Sequence, residues 1–143
     1  MPSSVVCVDA GVALRLVLPE PGQDVVLARW ADWIETGTRL VSPYLFAFET
    51  TSVVRNKVAR GLLARDAGET ALAEIQAQRI ELVHPEGLES AAWQLATALD
   101  RPTAYDAFYL AVGRLLDGET WTTDERLYRA AHRRAPWLRL IAG

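Results

Sequence analysis

Long apolar runs, paired thiols and lysine are what this sequence is short of. Cys7 is the only cysteine in 143 residues, so no intramolecular disulfide can form, and between valines it reads as a small buried hydrophobe and not as a nucleophile. No stretch reaches about 18 uninterrupted apolar residues, which excludes an apolar membrane-spanning helix. The N-terminus lacks the charged start and small-residue cleavage site of an export signal, so the expectation is a cytoplasmic protein with no membrane association. The two histidines, His84 and His132, are far apart and belong to no spaced Cys/His set, which argues against zinc. Any metal here must be held by oxygen.

Half the positions are hydrophobic, enough for one sizeable core and too few residues for two, so residues 1–143 are read as a single domain. The net charge of -3 speaks against nucleic acid, but the average hides local asymmetry. Arg55, Lys57, Arg60 and Arg65 fall in an acid-free stretch, and Arg126, Arg129, Arg133, Arg134 and Arg139 form a second one. Solvated helix faces account for such runs, and so do phosphate contacts. Of fifteen basic residues only Lys57 is lysine, and the guanidinium fork of arginine suits bidentate phosphate binding.

Residues 4–8 form a short β-branched apolar run that predicts a strand buried on both faces, with Asp9 at its end. Residues 12–18 predict a helix stopped by Pro19-Glu20-Pro21-Gly22. Residues 24–35, with Trp30, Trp33 and Ile34 spaced for one face, predict the next, ended by Thr36-Gly37. A strand over 39–41 precedes Ser42-Pro43, a good helix start because serine can cap and proline tolerates the first turn; that helix should reach about Arg60. Further helices are expected over 64–78, 88–99, 103–116 and 125–133, and further strands over 80–83, 120–122 and 138–141. Strands alternating with helices predict an α/β sandwich with a largely parallel sheet, because parallel neighbours need crossover connections. Ligands of such folds bind at the carboxyl ends of strands, which draws Asp9 and Asp124 towards one cleft.

Four carboxylates stand out, each with an ordinary explanation beside it. Asp9 directly follows a buried strand, where an uncompensated charge would cost several kcal/mol, yet it can also cap the following helix. Glu49 lies four residues after Leu45, three after Phe46 and four before Val53, in the middle of an apolar stripe; a buried ion pair or a snorkelling side chain is the plain alternative. Asp106 stands three residues after Thr103 as in a capping box, on a helix otherwise apolar through Phe108, Tyr109, Leu110 and Val112. Asp124 can cap the helix over 125–133. Jointly, two strand-end acids, one helix-start acid and one helix-face acid specify an oxygen-only set of the kind Mg²⁺ or Mn²⁺ prefers, suited to attack on a phosphodiester.

Four segments taken in order resemble the PIN-domain family, and its VapC toxin branch in particular. They are Val8-Asp9-Ala10-Gly11-Val12-Ala13-Leu14, Phe48-Glu49-Thr50-Thr51-Ser52-Val53, Thr103-Ala104-Tyr105-Asp106-Ala107-Phe108-Tyr109-Leu110-Ala111 and Thr122-Thr123-Asp124-Glu125-Arg126-Leu127. The resemblance implies a three-layer α/β sandwich with a central, mostly parallel sheet of four to five strands and about seven helices. It implies a ribonuclease in which Asp9, Glu49, Asp106 and Asp124 bind Mg²⁺ or Mn²⁺, with Thr122 orienting a water or carboxylate. It further implies tRNA or ribosomal RNA as substrate, a homodimer, and a cognate VapB-like antitoxin whose C-terminal segment obstructs the site. Arg55, Lys57, Arg60, Arg65 and Arg126 are the candidate RNA contacts, and single-stranded loops with exposed bases the favoured target. Gly11 and Ser52 depart from the family pattern, which often has Ser or Thr and Asn there, and this loosens the polar surroundings of the acids. Three other readings stay open: a PIN nuclease of RNA maturation without antitoxin, phosphotransfer through Asp9, and a non-catalytic binding module. Against phosphotransfer, Asp9-Ala10-Gly11 has no second aspartate two residues on, and Lys57 is poorly placed to serve a receiver-like site.

Overall fold

The computed structural model describes residues 4–142; residues 1–3, where the reading for an export signal begins, and residue 143 lie outside it. All twelve expected elements form, in the expected order. They are β1 (Val5–Val8), α1 (Ala10–Val17), α2 (Gln23–Glu35), β2 (Arg39–Pro43), α3 (Leu45–Ala59), α4 (Arg65–Ala77), β3 (Glu81–Val83), α5 (Leu88–Ala98), α6 (Tyr105–Leu115), β4 (Glu119–Thr122), α7 (Glu125–Ala131) and β5 (Leu138–Leu140).

The five strands form one sheet in the order β3-β2-β1-β4-β5, with every neighbouring pair parallel. Chain order therefore runs outward from β1 to β3 on one side and resumes at β4 on the other. The reversal falls between β1 and β4, and the crevice outside their carboxyl ends is where this architecture takes ligands. Helix α1 packs on α2, α3 and α4, whereas α5 packs on α6 and α6 lies on β1, β2 and β4. Right-handed crossovers place these two helix groups on opposite faces of the sheet. Val6, Cys7 and Val8 are buried, as a strand covered on both faces requires, and with Val12, Val41, Leu110, Val112 and Leu138 they form the centre of the core.

Trp30 and Trp33 of α2 meet edge to face at 5.7 Å, and Trp33 meets Trp121 of β4 in the same way at 5.6 Å. Ile34, expected on that face, is 60% exposed: it follows Trp33 by one residue, and the helix rotation carries it past the contact. The expected helix start at Ser42-Pro43 is also displaced. Both residues complete β2, and Ser42 donates its hydroxyl to the Val8 carbonyl at 2.8 Å, so its side chain ties β2 to β1 and caps no helix.

Glycine is required where α6 and β4 come close to their neighbours. A Cβ on Gly113 would run into the Thr120 hydroxyl, and one on Gly118 would meet the Val5 carbonyl oxygen, so the first lets α6 lie against β4 and the second lets the chain entering β4 pass beside β1. The turn between them is a Schellman cap, with Asp117 left-handed at φ 54 and the Gly118 N–H donated to the Gly113 carbonyl at 2.8 Å. We predict that Gly118→Ala lowers stability by about 2 kcal/mol, read as a fall in Tm, because the obstacle is backbone of the central strand and has no rotamer to yield.

Candidate active site

Cys7 lies opposite Thr120 and Val8 opposite Trp121, and the Asp9 N–H extends this ladder to the Trp121 carbonyl at 3.3 Å. Side chains alternate along strands, so Cys7 and Asp9 share one face with Thr120 and Thr122. Helix α6 covers that face, and the buried Thr120 hydroxyl donates to the Tyr109 carbonyl at 2.8 Å. The Asp9 carboxylate thus leaves the end of β1 towards the first half of α6.

Asp9 caps α1, accepting from the Val12 N–H at 3.0 Å. Burial raises its pKa from 3.8 to about 6; the Thr122 side chain and the Val12 N–H oppose the rise, and the negative charges of Asp106 and Asp124 add to it. Cys7, directly beneath, is raised above its ordinary range by burial and then by the charge of Asp9, which makes it an inert thiol. At the end of β4, Thr122 is fully buried and its Oγ1 accepts from the Asp124 N–H at 3.0 Å. Asp124 in turn caps α7 through the Leu127 N–H at 3.1 Å.

Glu49 reaches the cleft from α3. The buried residues of that helix are Phe46, Thr50 and Val54, so Glu49 flanks the apolar stripe and does not sit in its middle. It accepts a 2.8 Å hydrogen bond from the buried Tyr109 hydroxyl, which joins α3 to α6 across the site. Burial, then the bond to Glu49, raises the phenol above its ordinary pKa, so Tyr109 acts as a donor and stays neutral. Asp106, in the first turn of α6, forms no capping box, since Ala104 precedes the helix with no side-chain cap. Its Oδ2 accepts from Arg101 Nη2 at 3.0 Å. Arg101 is delivered by the Schellman turn ending α5, where Asp100 is left-handed at φ 52 and the Arg101 N–H bonds the Ala96 carbonyl at 2.9 Å.

Asp9, Glu49 and Asp106, with Gly11, Tyr109 and Thr120, line one small cavity of about 60 Å³. Asp124 stands exposed outside that lining, close enough for its charge to act on Asp9. Among the described residues no three acidic, histidine or cysteine side chains stand together at coordinating distance; Arg101 and Tyr109 engage two of the acids instead. The donor set nevertheless fits a hard divalent cation in kind. It is all oxygen, it carries adjacent hydroxyls, and its innermost carboxylate bears an ionisation cost that a cation would relieve.

None of the basic residues expected to contact RNA lines the acidic cavity. Lys57 pairs with Glu20 at 3.2 Å and Arg65 with Glu69 at 3.1 Å. Arg55 and Arg65 line a separate groove of about 510 Å³ between α3 and α4, while Arg60 and Arg126 are exposed. Two residues at the cleft were not singled out from sequence. In sequence Tyr109 reads as one more apolar residue of α6, although its position three residues after Asp106 on one helix face is the available signal. Arg101 lies in a turn, and nothing in the sequence around it announces its partner.

An acidic cleft at the reversal point of a parallel sheet defines the chain as an α/β protein with its site at the strand carboxyl ends. Residues 6–133 match the PIN domain family, and the chain belongs to it. Members of that family are typically nucleases. Three solved structures share the fold. A protein designated PAE2754 from Pyrobaculum aerophilum superposes with a TM-score of 0.68 at 18% identity, over 91% of this chain and 88% of that one. VapBC2 from Rickettsia felis, bound to a DNA fragment from its promoter, gives 0.69 at 12% identity, over 95% and 96%. VapBC-1 from nontypeable Haemophilus influenzae gives 0.61 at 16% identity, over 88% and 91%. No curated protein matches the chain at a significant level.

Because the folded-state pKa of Asp9 lies above its unfolded value, the folded chain holds the proton more tightly. The contribution of this group to stability is present below pH 3.8 and is lost as pH rises to about 6. Asparagine caps helices as well as aspartate does. Asp9→Asn in the presence of a chelator is therefore expected to raise stability at pH 7 by roughly 2 kcal/mol and to flatten that part of the Tm-against-pH curve.

Proposed function

We propose that this chain is a Mg²⁺- or Mn²⁺-dependent endoribonuclease toxin of the VapC type, hydrolysing phosphodiester bonds of tRNA or ribosomal RNA and held in check by a VapB-like antitoxin. The observation that carries the reading is the convergence of Asp9, Glu49 and Asp106 from β1, α3 and α6 on one cavity, with Asp124 at its edge, in a PIN domain. Likeness in fold to the two VapBC assemblies supports the toxin assignment and the antitoxin partner. A homodimer and a cytoplasmic setting accompany the assignment. No helix among the described residues is long and apolar enough to cross a membrane, which is consistent with that setting.

Asp9, Glu49, Asp106 and Asp124 would hold the metal, which supplies positive charge against the phosphodiester and acidifies water. The chain's own groups organise the acids. Tyr109 fixes one Glu49 oxygen and leaves the other free; Arg101 does the same for Asp106; the Val12 and Leu127 N–H groups orient Asp9 and Asp124. Thr122, bonded to the Asp124 N–H, sets the loop that carries the fourth acid. Arg55, Lys57, Arg60, Arg65 and Arg126 are the proposed RNA contacts, reached from outside the cleft.

Purified chain freed of antitoxin is expected to cleave RNA only with Mg²⁺ or Mn²⁺, and to melt higher when the metal is added. Asp9→Asn and Asp106→Asn should each lower cleavage by at least about 100-fold and abolish growth arrest on expression. Unchanged cleavage and arrest in both variants would remove this chemistry. Tyr109→Phe, which frees Glu49 but keeps the ring, should cost about tenfold in cleavage with a stability loss near 1 kcal/mol. A short reading frame beside the gene that encodes a small DNA-binding protein, copurifying with this chain, separates a toxin from an RNA-maturation nuclease.

A further inference from the structure

Position 11 has no side chain, and the space one would take is filled from the other side of the strand ends. A Cβ on Gly11 would lie 3.0 Å from Thr123 Oγ1 and 3.4 Å from Asp9 Oδ1. The Thr123 hydroxyl therefore packs over the first turn of α1, it and one Asp9 carboxylate oxygen border the same space at position 11, and the nearer contact is too tight for both side chains to be kept without movement. Gly11 lines the acidic cavity, while Thr123 lines its neighbour with Arg15, Asp24 and Glu125, so this contact forms part of the wall between the two.

Thr122 does not compete for this place. Its buried hydroxyl donates to the Asp9 carboxylate and accepts from the Asp124 N–H, and it points to the opposite face of the strand end from Thr123. Thr123 is half-buried, and among the described residues its hydroxyl makes no hydrogen bond of standard geometry to the protein. Donor and acceptor capacity are thus both left for water, beside the acid with the strongest need of a compensating partner.

We propose that Thr123 is a positioning residue of the acidic site. Its hydroxyl, admitted by the absence of a side chain at Gly11, orders water beside Asp9 and takes the part that a hydroxyl side chain at position 11 would otherwise play. The inference rests on the metal-nuclease reading of the cleft, and it makes residues 11 and 123 interchangeable suppliers of one hydroxyl.

The test is a Mg²⁺ titration followed by both Tm and RNA cleavage on the same preparations. Thr123→Val, which keeps the shape and removes the hydroxyl, should raise the Mg²⁺ concentration for half-maximal stabilisation and cleavage about tenfold, with kcat at saturating Mg²⁺ unchanged. Thr123→Ser should behave as wild type. Gly11→Ser alone should lower the metal-free Tm by about 3 °C through crowding. Adding Thr123→Ala should restore both the Tm and the wild-type Mg²⁺ requirement. A wild-type titration curve for Thr123→Val, or no rescue in the double variant, overturns the positioning role and leaves the nuclease reading standing. A wild-type chain that neither cleaves RNA nor responds to Mg²⁺ overturns both.

Discussion

The seating of α6 on the sheet is the contact on which the acidic cleft depends. Two side chains from the far half of the chain hold it, the Thr120 hydroxyl on the Tyr109 carbonyl and the Trp137 indole on the Leu110 carbonyl, each at 2.8 Å. Gly113, one turn further on, lets the helix backbone lie directly against β4. With α6 fixed at that depth, Tyr109 reaches Glu49 and Asp106 stands over the end of β1. A shift of α6 by the width of a methyl group would part these groups, since a packed interior has no slack to absorb it.

Clustered carboxylates repel, and here each has been given its own partner. Asp9 and Asp124 take backbone N–H groups, Asp106 takes a guanidinium, and Glu49 takes a phenol. Capping and clustering, which appear in the sequence as rival explanations, therefore operate together: a cap orients the carboxylate while leaving one oxygen for the cleft. Burial falls most heavily on Asp9, and its raised pKa marks the point where the arrangement is least satisfied by protein alone.

Much of the architecture was legible because its signals are local. The apolar run before Asp9, the glycine stops and the alternation of strand and helix placed every element, and the strand-end rule brought Asp9 and Asp124 to one edge of the sheet. The misplacements came where a tertiary contact outweighed a local preference, as when Ser42 bonded Val8 across strands in place of capping a helix. Within the cleft the carboxylates were legible as residue types, whereas their partners were not. Tyr109 and Glu49 are sixty residues apart, and the Arg101–Asp106 pair depends on a left-handed aspartate that the sequence does not mark. The basic stretches were visible as composition, but pairing of Lys57 with Glu20 could be seen only in three dimensions.

The single thiol of the chain is sealed within the central strand, on the face that α6 covers, with no accessible sulfur beside it among the described residues. Reagents that attack cysteine will pass over the folded protein. A cysteine introduced at any exposed position would accordingly be the one reactive handle on the molecule, so dyes, spin labels or crosslinkers could be attached one site at a time without first removing Cys7 from the core.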